Sequence, residues 1–270
     1  MEANEIKKSV RESYSKVAKR GSSCCGDNKK VDDLSTSIGY SLEELKSIPD
    51  AANMGLGCGN PTAIASLKEG DVVLDLGSGG GLDVFLAANK VGQTGKAIGV
   101  DMTPDMIDLA RFNATKNNYE NVEFRLGEIE NLPVANNSID VIISNCVINL
   151  SPEKQQVFNE AFRVLKPGGR LSISDLVLLK PLPESIKENK IYLAGCIAGA
   201  ELKEAYLRLI KNAGFEHIEV TEESKNLIEA SDTVEDATDF VHIEFKGSSE
   251  ELEYIRKVIQ SITVTALKPK

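Results

Sequence analysis

The chain has 270 residues, 41% of them hydrophobic and 27% charged, which suits one large domain, alone or with a small appendage. Its formal charge of −10, with no basic patch, argues against a nucleic-acid partner. The opening residues, Met1 to Lys8, lack the apolar core of a secretory signal, and no apolar run is long enough to span a bilayer, so a cytoplasmic monomer with no membrane partner is expected.

Residues 1–20 read as an amphipathic helix, with Ile6, Val10, Tyr14 and Val17 at helical spacing. Residues 21–40 are rich in Gly, Ser, Asp and Asn and contain Cys24-Cys25-Gly26; they read as a mobile surface loop. A short helix is predicted near 41–47. The glycine-dense loop Asn53-Met-Gly-Leu-Gly-Cys-Gly-Asn-Pro61 then leads into a helix start near Thr62. From residue 71 the pattern alternates. Strands are predicted at 71–76, 96–101, 122–126, 139–145 and 170–177, with helices at 82–90, 104–117 and 153–165. Such alternation implies an α/β fold, a parallel sheet with helices on both faces and a ligand crevice at the carboxyl ends of the strands. Helices near 184–194 and 201–213, a strand near 217–223, a helix near 249–259 and a last strand at 261–267 complete the chain. The segment 225–247 is the least readable and is expected to form a small cap.

Val73-Leu-Asp-Leu-Gly-Ser-Gly-Gly-Gly81 is a strand running into a glycine-rich turn. A dinucleotide fingerprint would place Gly or Ala at the sixth position of GxGxxG, which here is Leu82. The glycines stand instead at 77, 79 and 81, which disfavours a pyrophosphate turn. Asp101 ends the second strand, where a carboxylate can accept both ribose hydroxyls. Glu128, after the third strand, is placed to reach an adenine amino group. Asp75 would face an amino-acid tail or hold the turn. The set suits a ligand with adenosine and an amino-acid tail but no phosphates.

Through Asp75-Leu-Gly-Ser-Gly79, Gly99-Val-Asp101 and Leu165-Lys-Pro-Gly-Gly169, residues 70–180 resemble the class I S-adenosylmethionine-dependent methyltransferases, with their Rossmann-like sheet. The residues expected around that cofactor are Asp75, Gly77, Ser78, Gly79, Gly81, Asp101, Met102, Glu128, Ile129 and Asn145. Three segments follow: 1–60, an N-terminal helix and cysteine-bearing loops; 61–180, the S-adenosylmethionine-binding domain; and 181–270, acceptor-side helices with C-terminal strands and cap.

The acceptor must be read from what lies over the methyl group. A nitrogen or oxygen acceptor favours a carboxylate, His or Tyr at the end of the fourth strand; this chain places Cys146 there. Cys196 sits in the small-residue segment Ala194-Gly-Cys-Ile-Ala-Gly-Ala200, and Cys58 lies between Gly57 and Gly59. These glycines are expected to leave room at sulfur. Soft thiolates select thiophilic centres, and three of them around trivalent arsenic make a neutral pyramid whose lone pair faces the methyl. A zinc site is disfavoured, because CxxC spacing is absent and the only histidines are His217 and His242. Cysteines acting merely as packing, in a methyltransferase of a quinone or lipid-like carbon or oxygen acceptor, remain the alternative.

Val10-Arg-Glu-Ser-Tyr14, Cys24-Cys25-Gly26, Gly55-Leu-Gly-Cys-Gly-Asn-Pro61, Ser144-Asn-Cys-Val-Ile-Asn-Leu150 and Gly195-Cys-Ile-Ala-Gly199 are together similar to the short microbial arsenite methyltransferases. The resemblance implies that Cys146 and Cys196 hold As(III), with Cys58 as a third thiol. It also implies that an N-terminal cysteine, Cys24 or Cys25, joins Cys58 in a disulfide that reduces arsenic after transfer. An outside thiol reductant, thioredoxin or glutathione, would then be needed, and the substrate would be arsenite or methylarsenite.

Overall fold

In a computed structural model of the chain, which describes residues 2–21, 28–224 and 249–270, one sheet organises the molecule. Its strands are β1 (Val72–Leu76), β2 (Lys96–Asp101), β3 (Val122–Leu126), β4 (Ile139–Asn145), β5 (Leu165–Leu178), β6 (Glu216–Ser224) and β7 (Ile259–Leu267). They run in the order β3-β2-β1-β4-β5-β7-β6. The first five are parallel, and β7 lies antiparallel between β5 and β6. The order reverses at β1 and β4, which opens a crevice at their carboxyl ends.

The central strands are apolar on both faces because both are covered. Val73, Val141 and Ile143 pack with α5 (Leu82–Val91) and α6 (Pro104–Lys116). Leu74, Leu76, Ile139 and Ile142 pack on the other face with α7 (Lys154–Val164) and α10 (Lys203–Asn212). A third apolar cluster caps the carboxyl end of the sheet. It draws Val10 from α1 (Ala3–Gly21), Ile186 from α8 (Glu184–Lys187), Tyr192 and Leu193 from α9 (Lys190–Ala194), and Ile255 and Val258 from α11 (Ser249–Val258). Cys58, Cys146 and Cys196 belong to this cluster.

Several expectations change. The segment expected as a loop at 21–40 contains α2 (Asn28–Ser37). It is tied to the glycine-dense loop by the Ser35 hydroxyl donating to Asn53 Oδ1 at 2.8 Å and by Asn53 Nδ2 donating to Asp32 Oδ1 at 3.1 Å. Cys24 and Cys25 lie outside the described residues, as does the cap expected at 225–247. The helices predicted near 41–47 and Thr62 are α3 (Leu42–Lys46) and α4 (Pro61–Ile64). The strand predicted at 170–177 begins earlier: β5 starts at Leu165, and its pairing with β4 is irregular between Ile139 and Val141. The C-terminal strands β6 and β7 extend the same sheet, so the boundary near 180 falls just past β5, within one sheet. Among the described residues no helix is long and apolar enough to cross a membrane.

The turn after β1 ends on Gly81, which caps α5 at φ +100°. A Cβ there would lie 2.7 Å from the Phe85 ring and 2.9 Å from that of Phe124. Gly81→Ala is therefore expected to cost about 2 kcal/mol through backbone strain and overpacking. The check is a lower urea midpoint at unchanged slope; an unshifted midpoint would show that the turn relaxes freely.

Candidate active site

The crevice begins where β1 turns into α5. Gly77 and Ser78 donate their N–H groups to the Val100 carbonyl at 2.8 and 3.1 Å, which folds the turn back over β2. Gly77 has φ +70°, and a Cβ there would run into the Val147 side chain, so only glycine lets the backbone border the crevice here. Asp101 is oriented by two backbone donors: Gly79 N–H at 3.0 Å from Oδ2 and Thr103 N–H at 2.8 Å from Oδ1. The opening is about 700 Å³. Gly77, Gly79, Asp101, Met102, Ile129, Asn145 and Cys146 line it, and Lys7, Val10 and Tyr14 of α1 cover it. An adjoining pocket of about 440 Å³ shares Leu56, Gly77 and Asn145 and is lined by Tyr40, Asp75, Ser78 and Asp83.

Two expected cofactor residues are placed differently. Gly81 lines neither pocket and instead caps α5. Glu128 also lies outside the lining, because its carboxylate is taken by α1: Lys7 Nζ at 2.8 Å and the Arg11 guanidinium at 3.4 Å. Glu130 lines the crevice in its place, accepting from the Ser151 hydroxyl at 2.5 Å and pairing with Lys7 at 3.3 Å.

The electrostatics select the ligand. Asp75 is buried, and among the described residues its carboxyl has no hydrogen-bond partner. Burial, then the charges of Asp83 and Asp101, push it well above the usual carboxylate range. Burial holds Asp83 at about 6 against the hydrogen bonds from Tyr40 and Asn145. It also raises Asp101, against the two N–H bonds. Three crowded carboxylates repel phosphate and favour a cationic ligand. S-adenosylmethionine, with an ammonium, a sulfonium and a ribose but no phosphate, fits these residues. Asp75 and Asp83 would hold the amino-acid end and Asp101 the ribose.

Three cysteines from distant parts of the chain meet beside this crevice. Cys146 follows β4 at φ +57° and donates its N–H to the Ser174 carbonyl at 2.9 Å. Cys196, at φ +61°, points its thiol at the Cys146 carbonyl at 2.6 Å. Cys58 is joined to Cys146 by a disulfide, with Cα atoms 5.7 Å apart. The resemblance implied a different pairing, of Cys58 with Cys24 or Cys25; those two lie outside the described residues. Pairing with Cys146 follows from how the loop is docked. The Asn145 side-chain amide accepts Cys58 N–H at 2.9 Å and donates to the Gly59 carbonyl at 2.8 Å. The glycines flanking Cys58 also serve this docking. A Cβ on Gly57 would lie 2.7 Å from Asn145 Nδ2, and one on Gly59 2.7 Å from Ser174 Cβ. They permit close backbone approach of the loop to Asn145 and Ser174. Burial and the nearby Asp175 push the Cys196 thiol well up, which favours its protonated form while no positive charge is present.

Sequence reading missed four participants: Lys7 as a clasp, the Tyr40–Asp83 pair, and Asp175. The Tyr40 hydroxyl donates to Asp83 Oδ1 at 2.8 Å and accepts from Asn145 Nδ2 at 2.9 Å. Asp83 did leave a signal, as a lone acid in the apolar run Leu82-Asp-Val-Phe-Leu-Ala-Ala88. Asp175 likewise interrupts the apolar face of β5 and is buried.

Residues 67–214 match the family described as Methyltransferase domain. The arsenite methyltransferase of Halobacterium salinarum is 46% identical over 252 residues, 88% of this chain. That of Homo sapiens is 37% identical over 221 residues, 78% of this chain. This chain spans only 64% and 58% of the length of those two proteins. The crystal structure of an arsenic(III) S-adenosylmethionine methyltransferase from Chlamydomonas reinhardtii superposes with a TM-score of 0.63 at 32% identity, covering 88% of this chain and 73% of that one. With the switch-point crevice and the converging cysteines, these similarities show that the chain belongs to the class I S-adenosylmethionine-dependent methyltransferases and, within them, to the arsenite methyltransferase family.

Proposed function

We propose that this protein methylates trivalent arsenic, held as a tris-thiolate by Cys58, Cys146 and Cys196. The observation that carries the reading is the convergence of these three cysteines at the carboxyl end of β4 and β5, beside the crevice. Among the described residues no base for a nitrogen or oxygen acceptor stands ready there: the Tyr14 hydroxyl over the crevice already donates to the Ala194 carbonyl at 3.2 Å. Among the described residues no histidine lines the crevice, and its carboxylates, Asp101 and Glu130, are already engaged by Gly79, Thr103, Ser151 and Lys7.

The Cys58–Cys146 disulfide must first be reduced by two electrons from an outside thiol, of the thioredoxin or glutathione class. Arsenous acid and three thiols then condense to a neutral arsenic tris-thiolate and three waters. Bound S-adenosylmethionine supplies an electrophilic methyl group. The thiolates fix the arsenic lone pair toward the crevice, so the chain contributes mainly alignment, worth roughly 7–11 kcal/mol in favourable cases. Arsenic gains the methyl group and one positive charge. The thiolate of Cys24 or Cys25 then attacks the Cys58 sulfur: an S–S bond forms, the As–S pair returns to arsenic, and trivalent methylarsenic stays on Cys146 and Cys196. The outside thiol reopens that disulfide. A cytoplasmic monomer belongs to the same proposal.

Reduced protein, S-adenosylmethionine, a thiol and arsenite should yield methylarsenicals by chromatography with arsenic detection, and Cys146→Ser or Cys196→Ser should abolish them. Full activity of Cys146→Ser would sink the assignment in favour of an ordinary acceptor. Before reduction, alkylation mapped by mass should leave Cys58 and Cys146 unmodified; after it, arsenite should mask three thiols, restored by a dithiol chelator. Asp101→Ala should weaken S-adenosylmethionine binding by about 2 kcal/mol, the worth of charged hydrogen bonds to a ribose. Calorimetry reads this, with the arsenite-masked thiol count unchanged; an unaltered Kd would remove Asp101 from the cofactor site.

A further inference from the structure

One buried acid takes no part in the reaction proposed for the thiols: burial holds the Asp175 carboxyl at about 7, against the hydrogen bonds from Tyr206, Leu176 and Asn149. Asp175 on β5 is 1% exposed, and one of its carboxylate oxygens lies within 4.8 Å of the sulfurs of both Cys58 and Cys146. It does not line the crevice. Its Oδ1 accepts from Asn149 Nδ2 and from Leu176 N–H, each at 2.9 Å, and its Oδ2 accepts from the Tyr206 hydroxyl at 2.9 Å. An ionised carboxylate offers about four acceptor positions, so three are filled and one on Oδ2 is open. Lys154 acts on it only from a distance: the ammonium donates to the Ser151 carbonyl at 3.0 Å, and no ion pair reaches Asp175 among the described residues. A carboxylate buried so completely without a cation is costly unless positive charge arrives beside it.

We propose that Asp175 is the charge-stabilising residue of methyl transfer, an inference that rests on arsenite being the acceptor. In that step the As–C bond forms from the arsenic lone pair. The methyl carbon–sulfur bond breaks with its electrons staying on sulfur, which becomes a neutral thioether. The positive charge carried by the sulfonium ends on arsenic. Three thiolates balance As(III) before transfer and fall one negative charge short after it. Asp175 supplies that charge from beside two of the three sulfurs. Because the arsenic centre is neutral before transfer and cationic after it, the carboxylate favours the transition state over the ground state. Held by three hydrogen bonds, it needs no reorganisation as charge develops. The same charge disfavours ionisation of the free thiols beside it, and this gives a second, independent readout.

The test compares reduced wild type, Asp175→Asn and Tyr206→Phe. Arsenite uptake is counted by free thiols without cofactor, alkylation of Cys58 and Cys146 by neutral iodoacetamide is timed at one pH well above 7, where the Asp175 carboxyl is ionised, and methyl transfer is followed in a single turnover at that pH. Asp175→Asn should mask the same three thiols, alkylate several-fold faster and transfer methyl about 100-fold slower, the scale of losing one preorganised charge-stabilising group. Tyr206→Phe keeps the carboxylate and should alkylate at the wild-type rate, losing only a few-fold in transfer. Should a melting curve show Asp175→Asn unfolded, Asp175→Asn/Tyr206→Phe, which removes the hydroxyl donor facing the new amide, carries the same readings. Wild-type transfer in Asp175→Asn, unchanged alkylation, or equal slowing by Tyr206→Phe overturns the inference. A wild type that takes up no arsenite overturns the function and this inference with it, whereas an active wild type with an equally active Asp175→Asn overturns this inference alone.

Discussion

The side-chain amide of Asn145 is the contact on which both halves of the site depend. Its oxygen takes the Cys58 N–H, and its nitrogen serves the Gly59 carbonyl, the Tyr40 hydroxyl and, at 3.3 Å, Asp83 Oδ2. Each such bond is worth about 1 kcal/mol net, and leaving any of these groups unpaired costs more. Asp83 and Tyr40 decide which way the amide points, because the acceptors gathered on one side leave only its oxygen for the Cys58 N–H. One side chain at the end of β4 thus docks the loop carrying Cys58 against the residue next to Cys146. It also walls both the crevice and the adjoining pocket. The crevice wall and the thiols are positioned from the same atoms.

Around that contact the molecule separates charge by region. The two faces of the sheet are dry and aliphatic. The crevice and the pocket adjoining it are acidic: burial raises Asp75, Asp83 and Asp101, and the charges of the other two raise Asp75 further. A cationic ligand relieves that repulsion, which ties cofactor affinity to the cost of keeping these carboxyls buried. The thiols sit in a third, largely apolar cluster, with Asp175 and its partners beside it. A neutral arsenic tris-thiolate suits such a place, since it asks for no hydration. α1 spans both regions. Lys7 ties it to Glu128 and Glu130, Ser15 bonds Asp105 on α6, and the Tyr14 hydroxyl donates to the Ala194 carbonyl at 3.2 Å near Cys196. The helix that covers the crevice therefore also touches the acceptor side.

Strand and helix alternation from 71 to 178 was legible because apolar runs of strand length, broken by Gly and by helix-period segments, are local patterns. The glycine turn and Asp101 were legible because their spacing encodes backbone geometry. The helix within 21–40 was less legible, because Gly, Ser, Asp and Asn dominate that stretch and part of its hold is the non-local Ser35–Asn53 and Asp32–Asn53 contacts. Glu128 looked like an adenine contact from its place after β3, yet that place is within reach of Lys7, which lies far away in sequence.

By itself the sequence determined the residue chemistry: a glycine turn with Asp101 at the switch-point crevice, and cysteines where a base would ordinarily stand. Those follow from spacing within single strand–turn units. Tertiary structure alone decided which thiols meet, that Cys58 bonds Cys146, that its flanking glycines press against Asn145 and Ser174, and that Asp175 stands behind the sulfurs. Distances between residues 58, 146, 175 and 196 depend on how β4, β5 and the glycine-dense loop pack together, and no local pattern carries that information.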